Sequence, residues 1–162
     1  MSKFLLIGTI FLFISVTLGL LIGMSLGHGL LAIDIDAWVK AHIIGTLGGF
    51  VMMIVMGVAM VLIPMFSLSH GFEEKWIKAA LYLQSFGVAL SMISLIAEFP
   101  LFIKAVALVL MVAGIGCFIV QMVIIFKQRA RKQNDYWAKN VMFALTCLVA
   151  SVVACTFYFI LD

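Results

Sequence analysis

Five long apolar runs, over residues 4–27, 37–65, 76–97, 101–126 and 137–160, constrain this chain more than any other feature. A helix that crosses the hydrocarbon core of a bilayer needs about 20 consecutive, mostly apolar residues. Every run is that long, and only short polar or charged stretches separate them. In lipid the backbone finds no water to bond, so such runs must satisfy themselves as helices. Composition decides against burial in a soluble core. The chain is 66% hydrophobic and 10% charged, whereas a soluble domain is about 45–50% apolar and about 25% charged. The expected fold is an all-α integral membrane protein, one domain over residues 1–162 forming a bundle of five transmembrane helices.

Cationic residues set the expected direction. Lys3, Lys75, Lys78, Lys127, Arg129, Arg131, Lys132 and Lys139, eight in all, fall on one side, against Lys40 and Lys104 on the other. This asymmetry predicts a cytoplasmic N-terminus and an external C-terminus, as in a multi-pass protein of a bacterial-type inner membrane. Trp38, Trp76 and Trp137 stand at run ends, as interfacial aromatic residues do. The second run is long enough to tilt or to extend past the bilayer. The first is too long for the apolar region of a cleaved signal and reads as a retained span. Asp36 and Asp135 are placed to cap the second and fifth helices. The basic stretch "KQRARKQN" reads first as a positive-inside anchor, and second as a lipid-headgroup site.

Several function classes lack residues to rest on. Cys117, Cys147 and Cys155 are odd in number and form no C-x-x-C, so they read as small packing residues. No P-loop, H-E-x-x-H motif, dinucleotide fingerprint, nucleophile–base pair or paired catalytic carboxylates appears, and no basic face suits nucleic acid. Nothing therefore argues for enzyme activity in this chain alone.

Small and polar residues mark the expected helix contacts. Gly19, Gly23 and Gly27 on the first helix, and Gly45 and Gly49 on the second, recur at four-residue spacing. Such strips let helix backbones approach closely in lipid. They predict tight packing of the first two helices, with a homodimer or a flat ligand as alternatives. On the third helix Gln84, Gly87, Ser91, Ser94 and Glu98 form one polar stripe, expected to face inward, with Gln84 level with Gln121 of the fourth. It serves as interhelical glue or lines a proton or substrate path. Met53, Met56 and Met60 share a face with Gly49, Thr46 and His42. Thioethers fill gaps in packing, and they also ligate copper or heme iron.

Of three histidines, His28 lies where the first helix ends and His70 lies in a charged loop. His42 lies inside an apolar run, about 8–9 Å beyond Asp36 at helical rise. An ionisable residue there is a functional candidate. It could hold a metal, titrate with Glu98, or hydrogen-bond a neighbouring helix.

The second run, "WVKAHIIGTLGGFVMMIVMGVAMVLIPMF", resembles a helix of the heme–copper oxidase subunit I superfamily, and in particular of its nitric-oxide-response (NnrS-like) members. His42, Gly45, Gly49, Gly57 and the Pro64-Met65-Phe66 ending carry the likeness. The later "RARKQNDYWAKNVMFAL" resembles their basic loop and the helix start after it. The resemblance covers two helices. It implies heme b with His42 as axial ligand, Gly45 and Gly49 making room for the ring, and a second ligand from His28, a methionine or His42 of a second copy. The chain departs from the family in having five spans and one histidine inside a run, so it lacks the copper-site histidines. The expected function is that of a small heme-binding membrane protein in electron transfer or redox and gas sensing. The alternatives are a cofactor-free accessory subunit of a respiratory or other membrane complex, and a copper- or small-solute-handling protein using His42, Met53 and Met56 or the polar stripe.

Overall fold

A computed structural model of the chain describes residues 2–28, 34–69, 73–129 and 136–161. Among them are five helices long and apolar enough to cross a membrane. They are α1 (Ser2–His28), α2 (Ile35–Ser67), α3 (Glu74–Ile96), α4 (Leu101–Lys127) and α5 (Tyr136–Leu161). Their ends match the apolar runs to within two residues. The outer surface is built from large apolar side chains. Phe13, Phe102 and Phe143 are 75%, 76% and 70% exposed, which suits lipid and not water.

Each helix buries a narrow seam. On α1 the buried positions are Phe4, Gly8, Phe11, Ser15, Leu18, Ile22 and Ser25, at alternating steps of four and three. That is the heptad spacing of helices that cross at a shallow angle. On α4 the buried seam is Ala107, Gly114, Phe118, Gln121 and Ile125, with the half-buried Met111 filling the same rhythm. α2 behaves differently over its first half. Ala37, Ala41, Gly45, Gly49 and Met53 are buried at a strict step of four. In an α-helix of 3.6 residues per turn that step overshoots by about 40° each time and would leave the seam. The chain instead widens into a π-helix over Ile44–Val51, between α-helical segments Ile35–Ile43 and Met52–Ser67. The wider turn keeps the small residues facing inward.

α2 runs through the middle, with α1 along its length, α3 against its first half and α4 touching its second half. α3 and α4 form the tightest pair. One apolar cluster gathers Phe4, Met53, Met56, Leu81, Phe118 and Met122, and a second gathers Phe11, Leu18, Ala41, Val88 and Met92. The π-helical stretch lies between them along α2.

The cap of α2 differs from the one expected. Asp34, not Asp36, caps α2, its carboxylate accepting from the Asp36 N–H at 3.1 Å. Asp36 sits in the first turn and pairs with Lys40 at 2.7 Å. Asp135 lies outside the described residues. α2 and α3 both end in a left-handed residue, Leu68 and Glu98, each with φ of 50°. At α3 the Phe99 N–H reaches the Ser94 carbonyl at 2.9 Å and the Glu98 N–H reaches Leu95 at 3.4 Å, a Schellman closure. Glu98 therefore stands exposed beyond the helix, and the polar stripe ends at Ser94.

Candidate functional site

Two of the polar side chains that the bundle buries, Ser15 and Gln84, lie against the π-helical stretch. Its carbonyls are out of α-helical register. The Met52 N–H, which would serve Gly48 in an α-helix, is given to Leu47 and Gly49 instead. The displaced Gly48 carbonyl accepts from Gln84 Nε2 of α3 at 3.0 Å. Gln84 is thus interhelical glue with a specific task, satisfying a backbone group that the π-turn releases. Its other amide atom, Oε1, is buried with no hydrogen-bond partner among the described residues.

His42 enters this stretch one residue before the transition begins at Ile43. Its Nδ1 lies 2.8 Å from the Ser15 carbonyl of α1. A carbonyl only accepts, so Nδ1 carries the proton, and in the neutral ring Nε2 keeps its lone pair. Gly19 makes the contact feasible. It stands one turn beyond Ser15 on α1, and a Cβ there would lie 3.1 Å from His42 Cε1. Thr46 donates its hydroxyl to the His42 carbonyl at 2.8 Å. Ser15 Oγ, directly over Gly45, is buried without a hydrogen-bond partner among the described residues. No ion pair joins His42 to Glu98 among the described residues.

Gly45 and Gly49 meet α1, as their spacing predicts, and neighbouring side chains fill the room they leave. A Cβ on Gly45 would fall 2.5 Å from Ser15 Oγ and 2.7 Å from Met92 Cε, and one on Gly49 would fall 2.7 Å from Phe11 Cγ. The ring plane of a heme needs that same space. These residues therefore do not fit a heme between α1 and α2 of one chain. Gly19 packs on His42, whereas a Cβ on Gly23 or Gly27 would have nothing within 4 Å among the described residues.

The other candidate residues lie apart. Met53 and Met56 are fully buried in the apolar cluster with Phe4, Phe118 and Met122. Met53 is eleven positions from His42, about 16 Å along the axis, too far to share an ion. Ser91 donates to the Met111 thioether at 3.5 Å and Ser94 to the Ser91 carbonyl at 3.0 Å, so both hydroxyls serve packing. Among the described residues no three His, Cys, Asp or Glu side chains gather as if to hold a metal. The His28 side chain and His70 lie outside the described residues.

The closest backbone approach in the bundle falls elsewhere. A Cβ on Gly114 would lie 2.8 Å from the Gln84 backbone nitrogen, and one on Gly87 would lie 2.7 Å from that of Met111. Gly87 stood out as part of the polar stripe, not as a crossing point, and Gly114 did not stand out. Ser15 and Met92 were missed as well. Their visible signal is a polar residue in the rhythm of the α1 seam and a methionine one step from the α3 stripe. Searches against protein-family models, curated proteins and solved structures find no match.

Proposed function

We propose that this chain is an accessory subunit of a multi-pass membrane assembly, with its N-terminus cytoplasmic and its C-terminus outside. The observation that carries this reading is the attachment of α5. It meets the bundle at its start, where Trp137 stacks on Phe126 at 6.3 Å and tilts against Phe66 at 6.2 Å, and Ala138 is buried. Beyond that point the described side chains are exposed or half-exposed. Its Ala144, Cys147, Ser151 and Ala154 lie at steps of three, four and three, all exposed. In lipid there is no hydrophobic drive between helices, and close packing on small residues supplies the association. A helix that packs on the bundle through Val141, Leu145 and Leu148 and leaves this small-residue face exposed is suited to a partner.

Oxidative cross-linking in native membranes tests the proposal. Single-cysteine chains keeping Cys147 should give one larger product that a cysteine-free chain lacks. Chains keeping Cys117, half-buried on α4, should not. A chain that stays monomeric at 17.8 kDa in mild detergent, with no cross-link from Cys147 or Cys155, overturns it.

A second reading rests on His42. Its Nδ1–H is held by a backbone carbonyl, which fixes the ring and leaves Nε2 as the donor atom, as in oriented axial ligands. Since the α1–α2 seam is filled, a heme b would have to sit on the open side of His42, at a junction with a second chain. Copper is the alternative occupant. The reduced-minus-oxidised spectrum of protein from heme-sufficient cells should then show a Soret band that His42→Ala removes, and metal analysis separates copper. A colourless, metal-free protein in its intact assembly ends this reading.

A further inference from the structure

We infer that the groove between α4 and α5 holds one anionic phospholipid, its phosphate at the loop end and an acyl chain between the helices. This is independent of the proposed function. Between α4 and α5 lies a groove of about 540 Å³. Ile119, Val123 and Phe126 form one wall, and Met142, Leu145 and Val149 the other. Each wall spans seven residue steps, about 10 Å at helical rise. The walls offer a ligand nothing polar, since the one hydroxyl there, Thr146, is given to the Phe143 carbonyl at 2.7 Å. A linear hydrocarbon fits such walls.

The mouth has the opposite character. Lys127 and Arg129 line it. Arg129 is set by two contacts, an antiparallel backbone bridge to Ser69 and its guanidinium 5.9 Å over the Phe126 ring. Lys139 stands on α5 one turn before Met142, on the same flank. At this end of the bundle Lys75 is matched by Glu73 and Lys78 by Glu74. No described carboxylate pairs with Lys127 or Lys139. From Lys127 to Lys139 the sequence has five basic residues and a single acid, Asp135. A cationic mouth on an apolar groove is complementary to an amphiphile with an anionic head. Inorganic phosphate would meet the charges and leave the walls unused. A neutral lipid would do the reverse.

Native mass spectrometry of the delipidated full-length chain tests this, with phosphatidylglycerol and phosphatidylcholine of identical acyl chains as probes. One phosphatidylglycerol should stay bound under activation that strips phosphatidylcholine, and inorganic phosphate should not displace it. The double variant Lys127→Gln, Arg129→Gln should bind about thirtyfold more weakly, from two lost charge–headgroup interactions. Val149→Trp fills the groove and leaves every charge in place, and it should abolish retention. Circular dichroism checks that both variants keep their helix content, so a loss of fold is not read as a loss of binding. Equal retention of the two lipids overturns the inference. Undiminished retention in the Val149→Trp chain overturns it too, because the mouth would then act as a diffuse basic surface. A protein cross-link from a cysteine placed at Met142 would put a partner helix in the groove and likewise overturn it.

Discussion

The bundle crosses helices at glycine in two ways. Where α3 meets α4, backbone lies on backbone, and Cβ atoms added to Gly87 or Gly114 would run into main-chain nitrogens at 2.7 and 2.8 Å. Where α1 meets α2, the glycines are sockets. Phe11, Ser15 and Met92 fill the space over Gly49 and Gly45, and the His42 ring fills the space over Gly19. In the first case glycine sets the distance between helices. In the second it admits a side chain. A backbone cannot step aside without moving a whole helix, whereas a thioether or a hydroxyl can rotate, so the two crossings should tolerate added atoms very differently.

The largest effect should follow from Gly114→Leu. Overpacking a tight core costs about 1–3 kcal/mol, occasionally more, and here no side chain is available to yield to the new one. We expect a loss at or above the top of that range, or no folded protein. Gly49→Ala, against the Phe11 ring, should fall in the middle. Gly45→Ala should cost about 1 kcal/mol or less, because the Met92 methyl and the Ser15 hydroxyl can swing away. Unfolding by sodium dodecyl sulfate in mixed micelles ranks the three. If Gly45→Ala proved as damaging as Gly114→Leu, the distinction between the crossings would break.

A smaller effect should follow from Gln84→Leu, which removes the donor from Gly48 while keeping apolar bulk at the α3–α4 crossing. The expected cost is about 1 kcal/mol. A more direct sign is vibrational. With an isotope label on the Gly48 carbonyl, its amide I band should move to higher frequency in the variant. An unchanged band would mean that the π-turn does not depend on Gln84.

The five helices were legible because their signal is redundant: run length, hydropathy and terminal tryptophans all report the same boundaries. The α2 cap was less so. Asp34 and Asp36 are two residues apart and chemically identical, and only the extended backbone at Asp34 decides between them. The π-helix was hidden for a different reason. "IGTLGGFV" is an ordinary apolar stretch by composition, and its one trace is the strict step of four among small residues, which means little until burial is known. The same holds for the candidate site. His42 was visible as an ionisable residue inside an apolar run. Its partner is a backbone carbonyl, and no side-chain pattern encodes that. The glycine strips marked where helices approach, but spacing alone could not say which glycine meets backbone, which meets a side chain and which meets nothing.

Gly23 belongs to that last group. It repeats the spacing of Gly19 on α1 and yet faces open space. In an isolated chain Gly23→Ala should be neutral or stabilising by up to about 0.8 kcal/mol, the helix-propensity difference, and Gly23→Leu should also fold. Both variants keep the α1 seam through Leu18, Ile22 and Ser25 untouched. If the open strip is a third kind of crossing, used between chains, Gly23→Leu should leave unfolding of the monomer unchanged and weaken its assembly by tenfold or more, since added bulk holds apart the backbones that small residues bring together. Unfolding curves and oligomer mass measured on the same sample separate these outcomes. A variant that unfolds early would place Gly23 among the sockets, whereas one that folds and assembles normally would leave it as a lipid-facing glycine.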